Sequence, residues 1–440
     1  MSNLNPAYKH GENPPSISLH GRSYALPTRP VVVVCIDGCD PEYIEHGIKN
    51  GICPTIASFV QGGFFATAEC VMPSFTNPNN VSIVTGVPPA VHGISGNYYL
   101  EPETKREIMI TDATLLRGPT LLALMSQAGV PTAAITAKDK LRKILGHELE
   151  GICFSTEKAA TCTVDEHGID QIEALVGRPA PPMYSSDLSL YVLDAGLALL
   201  RQGKIRLMYL SLSDYVQHKY APGASESDEF LRAIDQRLKA FIELGAIVGC
   251  VADHGMSDKS SVHGAVNVIF LQDFLEQEFG VGSARVICPI TDPFVRHHGA
   301  LGSFVRVYAR DQAQLPAMLR AVRGLSGVER VMTREEAASA LELPADREGD
   351  FLVVSTPEYV IGSCTVEHDL STIGERPLRS HGGFSEQAVP FLLSHPLNEK
   401  YLEKVAGHRL RNFDIFDFVL NGVAAPQVAI AEHAENESAS

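Results

Sequence analysis

Short apolar runs alternate with stretches of helical periodicity through the first half of this chain. Five runs read as strands: 31–36, 64–71, 131–136, 206–211 and 246–252. Runs this short and this continuously apolar suit strands buried on both faces better than helices. Helical patterns fall between them, near 54–61, 77–85, 118–128, 186–202 and 226–243. Gly129-Val130-Pro131 closes one helix and opens the next strand in the expected order. The alternation predicts an α/β fold with a mostly parallel central sheet and helices on both faces.

After His254 the pattern changes. Shorter strands (302–308, 351–355) and helices near 311–322 and 334–341 predict a smaller α+β cap inserted at 263–375. The chain then returns through a strand at 389–394 and a last helix near 412–421. The catalytic core is therefore expected at 29–262 and 376–423, preceded by an extension at 1–28 and followed by a flexible tail at 424–440. An insertion that leaves and re-enters beside functional residues is well placed to cover a site.

Composition narrows the partners. The 440 residues carry a net charge of −16, and no long basic block offers a surface to nucleic acid. The apolar runs are too short to span a bilayer, and the N-terminus lacks a signal-peptide core. The nine cysteines include no C-x-x-C pair, and several lie inside apolar runs, so they read as buried free thiols of a reducing, cytoplasmic compartment. Cys35 and Cys39 flank Asp37, but oxygen and nitrogen donors nearby make better metal ligands.

The chemistry gathers at the ends of the apolar runs. Asp37 closes the first, Asp214 and His218 follow 206–211, and Asp253-His254 follows 246–252. Asp214 and His218 stand four apart, which places both on one face of a helical turn. Asp253 and His254 are adjacent, so both meet one ion only if the chain turns sharply, which Gly255 permits. His381 precedes Gly382-Gly383 and adds a late imidazole. Asp40 precedes Pro41 and reads as a helix cap. Zinc suits this mixture of nitrogen and oxygen donors, and manganese or iron also accept it. Two ions about 4 Å apart clamp the attacking and leaving groups of a phosphoryl transfer.

Thr76 stands at the expected N-terminus of the helix near 77–85, with Pro78 just inside. Free amides and the helix dipole favour an anion there, and a metal would activate the hydroxyl. Ser74 is the competing hydroxyl.

Together Asp37, Pro73-Ser74-Phe75-Thr76-Asn77-Pro78, Asp214-x-x-x-His218, Asp253-His254-Gly255-Met256 and His381 resemble the alkaline phosphatase superfamily. The nearest likeness is to its nucleotide pyrophosphatase/phosphodiesterase-like branch. The resemblance implies an alkaline phosphatase-like fold, two zinc ions per chain and a homodimer. One ion is expected on Asp214, His218 and His381. The other is expected on Asp37, Asp253 and His254, with Thr76 coordinated to it as the nucleophile that forms a phosphothreonine. Asn97 matches the position whose amide donates to a phosphoryl oxygen, and His92 reads as structural.

Within this branch, Thr136-Ala137-Lys138-Asp139-Lys140 resembles the stretch in which paired lysines bind a substrate carboxylate. That implies a small-molecule phosphonate substrate, phosphonoacetate, cleaved at its carbon–phosphorus bond to acetate and phosphate. Negative charge then grows on the carboxylate oxygens as the bond breaks, where two ammonium groups stabilise it. A phosphodiesterase, a nucleotide pyrophosphatase or a phosphonate monoester hydrolase on the same metal core is the nearest rival. A non-catalytic metal- or phosphonate-binding protein is the rival from another class. His263, His297-His298 and Arg379 are polar candidates for the cleft with no motif behind them.

Overall fold

The computed structural model describes residues 15–101, 103–260, 265–290, 300–368, 370 and 377–425. Its centre is a seven-stranded sheet. The strands, in chain order, are β1 (Val31–Cys35), β2 (Phe64–Glu69), β3 (Thr132–Thr136), β4 (Ile152–Ser155), β5 (Leu207–Ser211) and β6 (Ile247–Val251). A second sheet holds β7 (Ala284–Ile287), β8 (Phe304–Ala309), β9 (Val328–Thr333) and β10 (Phe351–Ser355). The strand β11 (Ala388–Leu393) then completes the first.

The large sheet runs β2-β11-β6-β1-β5-β3-β4. β6, β1, β5, β3 and β4 pair parallel, while β11 is antiparallel to both its neighbours. Every residue of β1, β3, β5 and β6 is buried. Successive side chains point to opposite faces, so full burial means that both faces are covered. Among the covering helices are α1 (Pro41–Lys49), α2 (Pro54–Gly62), α3 (Thr76–Thr85), α4 (Asp139–Leu145), α5 (Asp187–Arg201) and α6 (Ser225–Glu243).

The second sheet is antiparallel, in the order β7-β8-β10-β9, and it has its own buried cluster. Met72 and Phe75, from the segment leading to Thr76, belong to that cluster. The body at 284–355 is thus packed against the segment leading to Thr76, with the Phe75 and Phe304 rings 6.3 Å apart edge to face.

The predicted strands and helices fall within a few residues of those observed. Two regions differ. Ser16–Leu19 and Arg22–Ala25 form a hairpin inside the polar extension, anchored by buried Leu19 and Tyr24. The single helix expected near 412–421 is a composite: a 3-10 turn at Asn412–Asp414, one α turn at Ile415–Asp417 and a π turn at Phe418–Gly422. Most of the expected tail, 426–440, lies outside the described residues. Among the described residues no helix is long and apolar enough to cross a membrane.

Candidate active site

Strand register builds the core of the site. Cys35 pairs with Ser211 on one side and Val251 on the other, and Thr136 pairs with Ser211. Asp37, Asp253 and Lys138 each follow two residues beyond these paired positions, and Asp214 three beyond. The carboxyl ends of β3, β5, β1 and β6 therefore deliver three carboxylates and an ammonium to one edge of the sheet, where α/β folds bind ligands. Gly38 turns the chain after Asp37 with φ +69°, in the left-handed region that glycine tolerates. Gly255 is required for space instead, since a Cβ there would stand 2.9 Å from Asp40 Oδ2. Asp40 caps α1 by accepting from the Glu42 amide.

Asp214 and His218 occupy one helical turn, closed by the His218 amide donating to the Asp214 carbonyl at 3.0 Å. His218 Nε2 lies 2.9 Å from Asp214 Oδ2. His381 arrives from the return segment, where Arg379–Ser380 pairs with Ser257–Asp258 just past His254. Its ring stacks on that of His254 at 3.6 Å and 6°. Donor atoms of Asp214, His254 and His381 lie within 4.8 Å of one another, as do those of Asp37, Asp253 and His254. His254 thus stands at the junction of the two groups, whereas the expected trios gave it to one.

All three imidazoles are oriented alike. Nδ1 of His218, His254 and His381 faces the carbonyl of Arg379, Gly255 and Ser74, at 2.7, 2.8 and 2.8 Å. A carbonyl only accepts, so each Nδ1 carries the proton; the Nε2 of His218 then faces the Asp214 carboxylate at 2.9 Å, a contact that needs either a second proton on that nitrogen or a cation shared with the carboxylate. Asp37 is buried, and neither of its oxygens accepts a hydrogen bond. His254 Nε2 approaches Asp37 Oδ1 at 3.3 Å without hydrogen-bond geometry. A buried, orphaned carboxylate beside aligned imidazole nitrogens fits a divalent cation.

The electrostatics agree with that fit. Burial, then Asp214 and Asp253, push the Asp37 carboxyl well above the usual carboxylate range. Burial lowers the His254 imidazole, but Asp253, Asp37 and Asp214 outweigh it and lift it to about 9. Burial and the neighbouring His254 and His218 hold His381 well below the usual imidazole value. Like charges crowded in a dry site repel, and a bound cation relieves the carboxylates.

Thr76 is the first residue of α3, and the capping Phe75 makes no side-chain bond to the helix. Its Oγ1 lies 3.3 Å from His254 Nε2. Ser74 is committed elsewhere: it is fully buried, and its hydroxyl donates to the Gly383 carbonyl at 2.8 Å and accepts from Gly382 N at 3.1 Å. Thr76 lines a solvent-open cleft with Asp37, Asn97, Lys138, Lys140 and Asp214. Lys138 Nζ donates to Asp214 Oδ1 at 3.0 Å. Asn97 donates from Nδ2 to the Ile290 carbonyl at 3.3 Å, and its Oδ1 is buried without a partner.

Arg379 is buried and spends its guanidinium on Asp258 Oδ1, the Gln217 and Met256 carbonyls and the Tyr43 hydroxyl. His263, His297 and His298 lie outside the described residues. His92 is buried between the Ser82 hydroxyl and the Ile94 amide. All nine cysteines are buried and unpaired, and burial, then Asp253 and Asp37, hold the Cys35 thiol well above its usual value. Sequence reasoning passed over the Lys259–Glu386 pair, at 2.8 Å with both side chains fully buried, and over Asn80. Only the i, i+4 spacing of Asn80 from Thr76 offered a signal for it.

Known proteins share this fold. Crystal structures of phosphonoacetate hydrolase from Sinorhizobium meliloti 1021, in complex with phosphonoformate and with phosphonoacetate, match at TM-score 0.89. Identity is 44%, covering 94% of this chain and 100% of theirs. A 28-residue stretch is 75% identical to phosphonoacetate hydrolase of Penicillium oxalicum, spanning 6% of this chain and 39% of that curated relative's length. Murine ectonucleotide pyrophosphatase/phosphodiesterase 5 shares the fold, at TM-score 0.59 and 16% identity over 90% of this chain and 96% of its own. The type I phosphodiesterase / nucleotide pyrophosphatase family model matches residues 31–383, and the chain belongs to that family.

Proposed function

We propose that this enzyme hydrolyses the carbon–phosphorus bond of phosphonoacetate, giving acetate and phosphate. The observation that carries the reading is the shared cleft, which Lys138 and Lys140 line together with Thr76, Asp37 and Asp214. The 44% identity to an enzyme crystallised with phosphonoacetate supports it.

Asp214, His218 and His381 would hold one zinc ion, and Asp37, Asp253 and His254 the other. When bound, the ions supply Lewis acidity and lower the pKa of the attacking hydroxyl. Thr76 Oγ attacks phosphorus, and the P–C bond breaks with its electron pair passing to the methylene carbon. The pair delocalises into the carboxylate as an enediolate, and the proton released by the Thr76 hydroxyl is balanced by the one the enediolate takes from solvent to become acetate. Lys138 and Lys140 face this growing charge and stabilise the transition state more than the ground state. Asn97 orients a phosphoryl oxygen. Water then cleaves the phosphothreonine, releasing phosphate and returning the Thr76 hydroxyl. The proposal extends to a homodimer in the cytoplasm, supported by the family resemblance and by nine unpaired thiols.

Zinc-loaded protein assayed in parallel on phosphonoacetate and on aryl phosphodiesters tests the substrate. Faster turnover of the diesters would reassign the enzyme to the phosphodiesterases. Lys140→Ala is expected to lower kcat/KM on phosphonoacetate about a hundredfold while changing that on a carboxylate-free phosphate ester by less than about threefold.

A further inference from the structure

Asn80 is fully buried on the first turns of α3, one turn past Thr76. Its amide is saturated. Nδ2 donates to the Thr76 carbonyl at 3.0 Å and to Asp253 Oδ2 at 3.1 Å. Oδ1 accepts from the Tyr209 hydroxyl at 2.7 Å and from Ser211 Oγ at 2.9 Å. The Thr76 carbonyl and the Asp253 carboxylate only accept, so the nitrogen must face them and the amide has one orientation.

The four partners lie on three pieces of the site: the helix that begins at Thr76, the end of β6, and β5 as it runs towards Asp214. Asp253 Oδ1 is already taken by the amides of Gly38 and His254, at 3.2 and 3.1 Å. The bond from Asn80 to the other oxygen therefore fixes the plane of the carboxylate. At the helix end, Phe75 provides no side-chain cap, and the neighbouring Asn79 ties the segment before Thr76 through the Val71 amide and the Phe75 carbonyl. The bond from Asn80 to the Thr76 carbonyl extends that restraint to Thr76 itself.

We infer that Asn80 is a positioning residue for both halves of the reaction centre, setting the Asp253 carboxylate for the cation and keeping Thr76 from moving with a fraying helix end. The inference rests on Asp253 as a metal ligand and Thr76 as the nucleophile. It concerns a fully buried residue that does not line the cleft.

Two variants test it, read by zinc competition against a chromophoric chelator and by steady-state kinetics at saturating zinc. Asn80→Leu keeps the volume and removes both donated bonds; zinc affinity is expected to fall about ten- to a hundredfold. At saturating zinc, kcat falls and KM stays within about twofold, because only positioning is lost. Should Asn80→Leu fail to fold, the double variant Tyr209→Phe with Ser211→Ala frees the amide without removing it, and zinc affinity moves the same way. A lower melting temperature with wild-type zinc affinity and kcat would make Asn80 a packing residue and overturn the inference. Failure of the wild-type protein to hold zinc would instead remove the metal reading itself, and this inference with it.

Discussion

The donors of this centre reach it by two routes. Asp37, Asp214 and Asp253 leave adjacent strands whose pairing runs in register from Val31 to Cys35, so the backbone ladder alone sets them side by side. His381 comes from the late return segment and is held by a two-residue ladder, by the Ser74 hydroxyl and carbonyl, and by Glu386. Glu386 accepts from Gly383 N at 2.9 Å and is clamped by Lys259. The first route has no spare part, because a strand-end ligand that is removed has no substitute. The second is a set of tethers, whose loss costs order and leaves the ligand in the chain. Excess zinc therefore separates the two: it cannot replace a missing donor, but it can pull a loosened one back into place.

The largest expected effect breaks the first route. Asp253→Ala removes a proposed ligand that also receives Asn80, Gly38 and His254. A cation that provides several kcal/mol of transition-state stabilisation corresponds to a loss of about a thousandfold or more in kcat/KM. Kinetics across a zinc titration should show no recovery; restoration at high zinc would mean that the strand-end ligands are as dispensable as the tethers.

The second effect is on stability. Glu386→Gln leaves the Lys259 ammonium buried without a counter-charge, which costs about 3–5 kcal/mol in urea unfolding. Activity falls as His381 loosens and recovers in part with added zinc. The pH dependence has a definite sign. Burial would raise the Glu386 pKa, but Lys259 outweighs it and the folded-state value is lowered. The unfolded state then binds more protons than the folded state, so this stabilisation is complete above the ordinary carboxylate value and is lost as pH falls through the folded one. The variant's stability should fall less steeply on acidification; an identical acid limb would detach Glu386 from the tether.

This contrast also explains what the sequence disclosed. Buried parallel strands are continuous apolar runs, so the residues that end them stand out, and Asp37, Asp214 and Asp253 could be named together. The Thr76 helix start was legible from Pro78 and from the helical pattern that follows to residue 85. The tethers were not, because Lys259, Glu386 and Asn80 find their partners only after folding, and no local pattern announces a saturated buried amide. The hairpin at Ser16–Ala25 was missed for a related reason: its Pro, Gly and Ser neighbours masked two buried anchors, Leu19 and Tyr24. Periodicity found the last helical stretch but says nothing of which carbonyl each amide selects, hence its three hydrogen-bonding patterns.

Ser74 gives the smallest effect and the finest test of the comparison, since it is both the rival hydroxyl and a tether. Ser74→Ala removes the bonds to Gly383 O and Gly382 N, leaving two buried backbone groups unsatisfied at about 1–3 kcal/mol. The Ser74 carbonyl still receives His381 Nδ1 at 2.8 Å, so the ligand keeps its tautomer. Turnover is expected to fall less than tenfold, about 1 kcal/mol in barrier, and to return with added zinc. Acid quench during turnover, followed by peptide mapping, should find the phosphoryl group on Thr76 in the wild type and in Ser74→Ala alike. A phosphoryl group on Ser74 in the wild type would overturn the nucleophile. It would also show that a residue of the tether performs the chemistry assigned to the helix end.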